Sequence, residues 1–459
     1  MVKQTDNNSD KLGSEKLSRL MVGMAVPSIA AQLINVLYNV VDRIYIGHIP
    51  GASEDALTGV GVALPIVTFV SAFSAFAGAG GAPLSAIWQG KGDKDKAEKI
   101  LGNSVSMLLF FTVLSMAVFF GFMRPLLYMF GASANTIEYA VTYTSIYLCG
   151  TIFVLLALGL NPYIISQGAA KTGMMTIVVG AVINIVLDPI FIFALDMGVA
   201  GAALATVVSQ MVSAVLTIGF LTGSRAVLKI RLANLKPDFA IIGRISALGI
   251  SPFVMRSTES LVTITLNSGM QYYGGDLYVG SITIMQSVIQ FIFAPLSGFT
   301  QGVQPIIGYN FGAGKFDRVR KSYRSMIGIC GIFSFVMTLI VMLFPDKVAS
   351  LFTNSQALIE LCRTKMPLFV SGMLVFGIQM GIQPTFMALG QAKISLFIAA
   401  LRKIILLVPL AIILPMSLGT FGIYLAEPVS DIVSATVAAI LFAVNINKIL
   451  IRDALDKIN

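Results

Sequence analysis

Apolar runs of about twenty or more residues recur from near residue 20 to near residue 445, and no other feature of the sequence constrains the fold as much. A run that long crosses a hydrocarbon core about 30 Å thick as a helix, which satisfies every backbone N–H and C=O internally where water is absent. Twelve such helices are predicted, near 18–47, 57–88, 98–123, 136–166, 172–196, 199–223, 238–270, 278–308, 316–344, 356–388, 393–415 and 420–448. The expected fold class is therefore an all-α polytopic membrane protein. With only 12% of residues charged, against roughly 25% in soluble domains, composition agrees. The first 19 residues are polar and mixed in charge, so the first helix is read as its own insertion signal.

Several function classes are disfavoured by what the chain carries. One histidine, His48, cannot build a histidine metal cluster, and Cys149, Cys330 and Cys362 show no CxxC spacing. There is no phosphate loop, GxSxG elbow or dinucleotide fingerprint, so an enzyme is not expected, nor any cofactor beyond a coupling ion. The net charge of +9 is distributed by side. Counting the tails, the alternate connections and Lys171, Lys393, Arg402 and Lys403, 25 of the 31 basic residues fall on one side. Arg43, Arg124, Lys347, Arg363 and Lys365 fall on the other, and Arg256 lies inside the seventh helix. By the positive-inside rule both termini are expected to be cytoplasmic, and the excess is topological rather than a nucleic-acid footprint. The expected divisions are a tail at 1–17, a lobe at 18–223, a linker at 224–237, a lobe at 238–448 and a tail at 449–459.

The chain also repeats. Pro83 to Lys96 lies over Pro305 to Arg318 without a gap at an offset of 222, and Pro162 and Gly168 meet Pro384 and Gly390 at the same offset. Six helices per repeat keep both halves in one orientation, which predicts two six-helix lobes related by a pseudo-twofold along the membrane normal.

Candidate chemistry concentrates in Asn184-Ile-Val-Leu-Asp188-Pro189. A carboxylate at the centre of a membrane helix costs roughly 2.5–3.5 kcal/mol on insertion scales, so it normally faces a protein interior or a watery cavity. Asn184 lies one turn earlier on the same face, and Pro189 frees the carbonyl of Ile185. A helix cap or a buried ion pair is the plainer alternative for Asp188. On the first helix Gln32, Asn35, Asn39 and Asp42 form one polar stripe with Tyr38 beside it, which cannot face lipid. Asp42 could instead sit at the outer interface beside Arg43. On the fourth and sixth helices, Asn161 and Thr206 are further polar candidates. In the second half Arg256 and Glu259, three apart, can neutralise one another, and a structural pair and a substrate contact both stay open. Gln286, Gln290, Gln379 and Gln383 add neutral polar groups.

Over residues 20 to 448 the chain resembles the MATE family (multidrug and toxic compound extrusion), with a texture closest to its MepA-like bacterial branch. The resemblance rests on Pro27 to Asp42 with Gly47, on Asn184 and Asp188-Pro189, on Thr206, and on the Pro/Gly blocks ending the second and eighth helices. It implies two lobes working by alternating access, exporting organic cations and drugs in exchange for Na+ or H+. It also implies an amino-lobe cation site at Asp42, Asn184, Asp188 and Thr206 that suits Na+, with Asn161 close by. The cavity is expected to draw on Gln32, Asn35, Tyr38, Asn39, Arg256, Glu259, Gln286, Gln290, Gln379 and Gln383. The expected setting is a monomer in the bacterial inner membrane, with small molecules and the lipid bilayer as partners and no nucleic acid. One branch of the family carries acids on its seventh and tenth helices; Glu259 matches the first, whereas the tenth helix here offers only Gln379 and Gln383. The alternatives are a lipid-linked or polysaccharide flippase, which should ring its cavity with basic residues, and a non-transporting receptor or scaffold.

Overall fold

The computed structural model describes residues 11–49 and 53–456, so the outermost parts of both expected tails lie outside the described residues. Among the described residues ten helices are long and apolar enough to cross a membrane, and two bent pairs bring the spans to twelve. They are α1 (Leu17–Ile46), α2 (Ser53–Gly90), α3 (Lys94–Met129), α4 (Ile137–Cys149 and Thr151–Ser166), α5 (Ala170–Ala194) and α6 (Gly198–Thr222). The second half comprises α7 (Phe239–Gly274), α8 (Asp276–Gly312), α9 (Phe316–Leu343), α10 (Gln356–Val370 and Met373–Ala388), α11 (Ala392–Leu418) and α12 (Thr420–Asp456). Starts are marked by side-chain caps where the chain returns from a connection. Asp93 accepts from the Lys96 N–H at 2.9 Å, and Asp238 accepts from Ala240 and Ile241. Large apolar side chains such as Phe110, Val113 and Ile332 point outward, as a lipid-facing belt requires.

The repeat read from the sequence is visible in the backbone. Gly92 and Gly314, and Gly168 and Gly390, each pair 222 residues apart, all hold positive φ between 72° and 80°, a conformation only glycine adopts freely. The bends in α4 (59°) and α10 (44°) fall at Gly150 and Gly372, again 222 apart. The protein is thus two lobes of six helices, α1–α6 and α7–α12.

The lobes meet in the half nearest the termini, through glycines that let backbones approach closely. A Cβ on Gly80 of α2 would lie 2.5 Å from the Ile245 carbonyl oxygen of α7, and one on Gly302 of α8 would lie 2.6 Å from that of Met24 of α1. Gly298 meets Ile29 in the same way. Gly90 faces Tyr309 while Gly312 faces Ile87, one contact seen from either side of the pseudo-axis. At the level of Gln32, its Nε2 donates to Gln301 Oε1 at 3.2 Å across the lobes.

One part of the charge assignment is corrected by this architecture. Arg402 and Lys403 do not belong to the basic side: both are 5% exposed and lie inside α11, where the helix widens into a π segment at Leu401–Leu407. A single run of apolar residues from Leu396 to Pro409 surrounds them in sequence. Buried cations need acids: α12 supplies two to Arg402, and α7 supplies one to Lys403.

Candidate ion and substrate sites

In the amino lobe the far end of the α1 stripe, at Tyr38 and Asp42, lies beside α5. Asn184 Nδ2 donates to Asp188 Oδ1 at 3.3 Å, the two residues being 1% and 0% exposed. Beyond Pro189 the helix continues as a π segment, Ile190–Ala194, a local widening often found at functional positions. The second oxygens have no such partner: Asp188 Oδ2, Asn184 Oδ1 and Asp42 Oδ1 are all buried without a hydrogen bond. Buried polar atoms are nearly always satisfied, so three orphaned carboxylate and amide oxygens on the packed pair α1 and α5 call for an explanation. Tyr38 lies in the field of both Asp42 and Asp188, and Asp188 in that of Asp42. Tyr143 of α4 lies in the field of Asp42 and Tyr38 and beside Thr206 of α6. The structure therefore brings Asp42, Asn184, Asp188, Thr206 and Tyr38 into one neighbourhood, with Tyr143 added. The sequence signal for Tyr143 was the one-turn spacing of Tyr139, Tyr143 and Tyr147 on an apolar helix.

Asn161 is not brought there. Its Nδ2 donates to the Gly173 carbonyl at 2.9 Å and to Thr176 Oγ1 at 3.0 Å. These partners precede Asp188 by twelve to fifteen residues, about 18–22 Å along a helix.

Two carboxylates, an amide oxygen and hydroxyls suit a hard monovalent cation or a proton. No group of three or more His, Cys, Asp or Glu that could hold a metal ion occurs among the described residues, and softer transition metals want imidazole or thiolate.

In the carboxy lobe Arg256 and Glu259, which their spacing allows to neutralise one another, feel each other's charge but form no direct salt bridge. Glu259 forms its salt bridge with Lys403, whose Nζ also donates to the Met255 carbonyl at 3.0 Å. Arg402 sits between two acids of α12, 3.0 Å from Glu427 and 2.7 Å from Asp431, with its guanidinium 4.1 Å over the Phe376 ring. The tenth helix supplies no acid, but α12 places Glu427 within the field of Glu259, with Asp431 one turn on; that one-turn pair in the apolar run of α12 was the available signal. Gln379 and Gln383 lie inside the lobe rather than in a cavity: both are nearly buried, and Gln383 donates to Ser251 Oγ at 3.2 Å.

Between the lobes, Phe253 of α7 packs against Phe69, Phe73 and Phe76 of α2, with ring centroids 5.2–5.7 Å apart. Beyond this level from the termini Asn39, Arg256 and Gln290 are exposed, while Asn35 and Gln286 are half-buried. Asn39 Nδ2 donates to the Asn35 carbonyl at 2.6 Å.

The MatE family model matches residues 27–190 and 253–413. The multidrug export protein MepA of Staphylococcus aureus is 23% identical over 425 residues, 92% of this chain and 93% of that protein. Its namesake in Staphylococcus haemolyticus is 24% identical, covering 92% of each chain. Among solved structures, one described as the outward-facing conformation of a multidrug resistance MATE family transporter of the MOP superfamily superposes with a TM-score of 0.89. It is 24% identical and covers 97% of this chain and 98% of its own, a likeness of fold.

Proposed function

The chain belongs to the MATE family, and from that premise we propose that it is a secondary multidrug exporter that expels organic cations in exchange for Na+ or H+ by alternating access. The observation that carries the ion half of this reading is the set of orphaned buried oxygens on Asp42, Asn184 and Asp188. A cation or proton bound among them, with Thr206 adjacent, would satisfy atoms that otherwise remain without partners and would relieve the repulsion of two carboxylates in one apolar lobe. The conformation fits one end of the cycle. The lobes are sealed near the termini by the glycine crossings, and on the positive-inside argument that side is cytoplasmic, so the cleft opens outward. Ion binding beside the stripe of α1, whose Pro27 weakens the local ladder, gives the site a route to the cleft. In this reading the protein lies in the bacterial inner membrane with both termini inside.

The test is transport by purified protein in proteoliposomes with ΔpNa and ΔpH imposed separately. At least one gradient should drive uptake of ethidium into the lumen. Asp42→Asn and Asp188→Asn should each abolish that drive while the protein reconstitutes normally. Full ion-driven transport by either variant would remove its residue from the coupling site.

A further inference from the structure

The faces that seal the lobes near the termini continue upward as the walls of the cleft. On α7, Ile245, Gly249 and Phe253 pack against α2. Steps of three and four residues carry the same face on to Arg256, Ser260, Thr263 and Asn267. Arg256 is thus one turn above the phenylalanine layer, near the middle of a 36-residue span, and it is exposed. A guanidinium at that depth facing lipid would be costly, which agrees with its placement on the cleft face.

Its guanidinium has no salt-bridge partner among the described residues. Glu259, the nearest acid in sequence, is held by Lys403, and Arg402 is held by Glu427 and Asp431. Arg256 forms no hydrogen bond or salt bridge among the described residues; Glu259 acts on it only at longer range, and the surplus acid of the Arg402–Glu427–Asp431 group is buried behind the wall, so Arg256 is the guanidinium that the cleft face presents unpaired. The opposite wall presents the neutral amides Asn35 and Asn39, while Asp188 is fully buried in the amino lobe. Below lies an aromatic layer whose Phe69 is 38% exposed.

We propose that Arg256 is an anion-recognising residue of the cleft, which takes the carboxylate or comparable acidic group of an aromatic substrate whose ring system rests on the Phe69–Phe253 layer. A guanidinium pairs with a carboxylate through two parallel N–H···O bonds, stronger and more directional than neutral contacts. Substrates carrying both an acid and a cationic group are then favoured over their esters. This inference rests on the export reading, because it assigns the substrate class of the same cleft.

The experiment compares two dyes that differ only at the acid: rhodamine 110, with a free carboxyl group, and rhodamine 123, its methyl ester. Binding to purified protein is followed by fluorescence polarisation. The unmutated protein should prefer the acid, Arg256→Gln should weaken the acid by about tenfold or more while changing the ester little, and Arg256→Lys should retain part of the preference. Equal weakening of both dyes, or no preference in the unmutated protein, overturns the proposal. Thermal melting and gel filtration of each variant separate recognition from misfolding. The export reading is judged separately, by ion-driven transport of either dye in proteoliposomes: with transport absent but the acid preference lost in Arg256→Gln, the recognition stands and the export reading falls.

Discussion

Replacing Arg402 by methionine is the sharpest test of how the carboxy lobe is held together. The guanidinium serves Glu427 and Asp431 at once and stacks on Phe376, and the three charged side chains are 6%, 8% and 1% exposed, so solvent screens little of the interaction. Removing it leaves two carboxylates one turn apart in an apolar interior. Breaking a buried pair by deleting one partner costs about 3–5 kcal/mol. At roughly 2–4 °C per kcal/mol for a unit of lobe size, the melting midpoint should fall by about 6–20 °C. The triple variant Arg402→Met, Glu427→Gln, Asp431→Asn removes the stranded charges as well and should recover most of that loss, because a neutral replacement of a buried ion network is often tolerated. The assay is thermal unfolding in one detergent, followed by intrinsic tyrosine fluorescence and by aggregation. A single variant that melts with the unmutated protein, or a triple variant less stable than the single, would refute the reasoning.

Two further outcomes are expected. Glu259→Gln should alter the range or apparent affinity of exported compounds while leaving ion-driven transport of some substrate measurable, since it strands Lys403 without touching the amino-lobe site; loss of transport for every compound in a folded protein would count against it. Gly80→Val places methyl groups where the Ile245 carbonyl already stands, and overpacking of about 1–3 kcal/mol should disfavour closure near the termini. In a Cys149→Ala background, labelling of Asn39→Cys by an impermeant maleimide from the side opposite the termini should then drop severalfold, and unchanged labelling would dissociate the glycine crossings from the gate.

The twelve spans were legible in the sequence because a membrane helix writes its length into uninterrupted apolarity, and the structure differs by bends and by up to about two turns at the ends. The pseudo-symmetry was equally legible, since glycine is needed wherever φ is positive or backbones touch, and Gly92, Gly168, Gly314 and Gly390 kept their places in both halves. Asp42, Asn184 and Asp188 announced themselves as polar groups that apolar helices do not carry without cause. What the sequence could not decide was which charges meet. Glu259 has an arginine three residues before it, yet it pairs with a lysine 144 residues away, because packing α7 against α11 brings Lys403 to it. Asn161 shares the polarity of the cation-site residues, but the crossing of α4 and α5 gives it Gly173 and Thr176 instead. Helical periodicity fixes the face on which a side chain stands. The neighbour it finds there depends on helix crossings, and those are set by glycine contacts and side-chain volumes summed over the whole bundle.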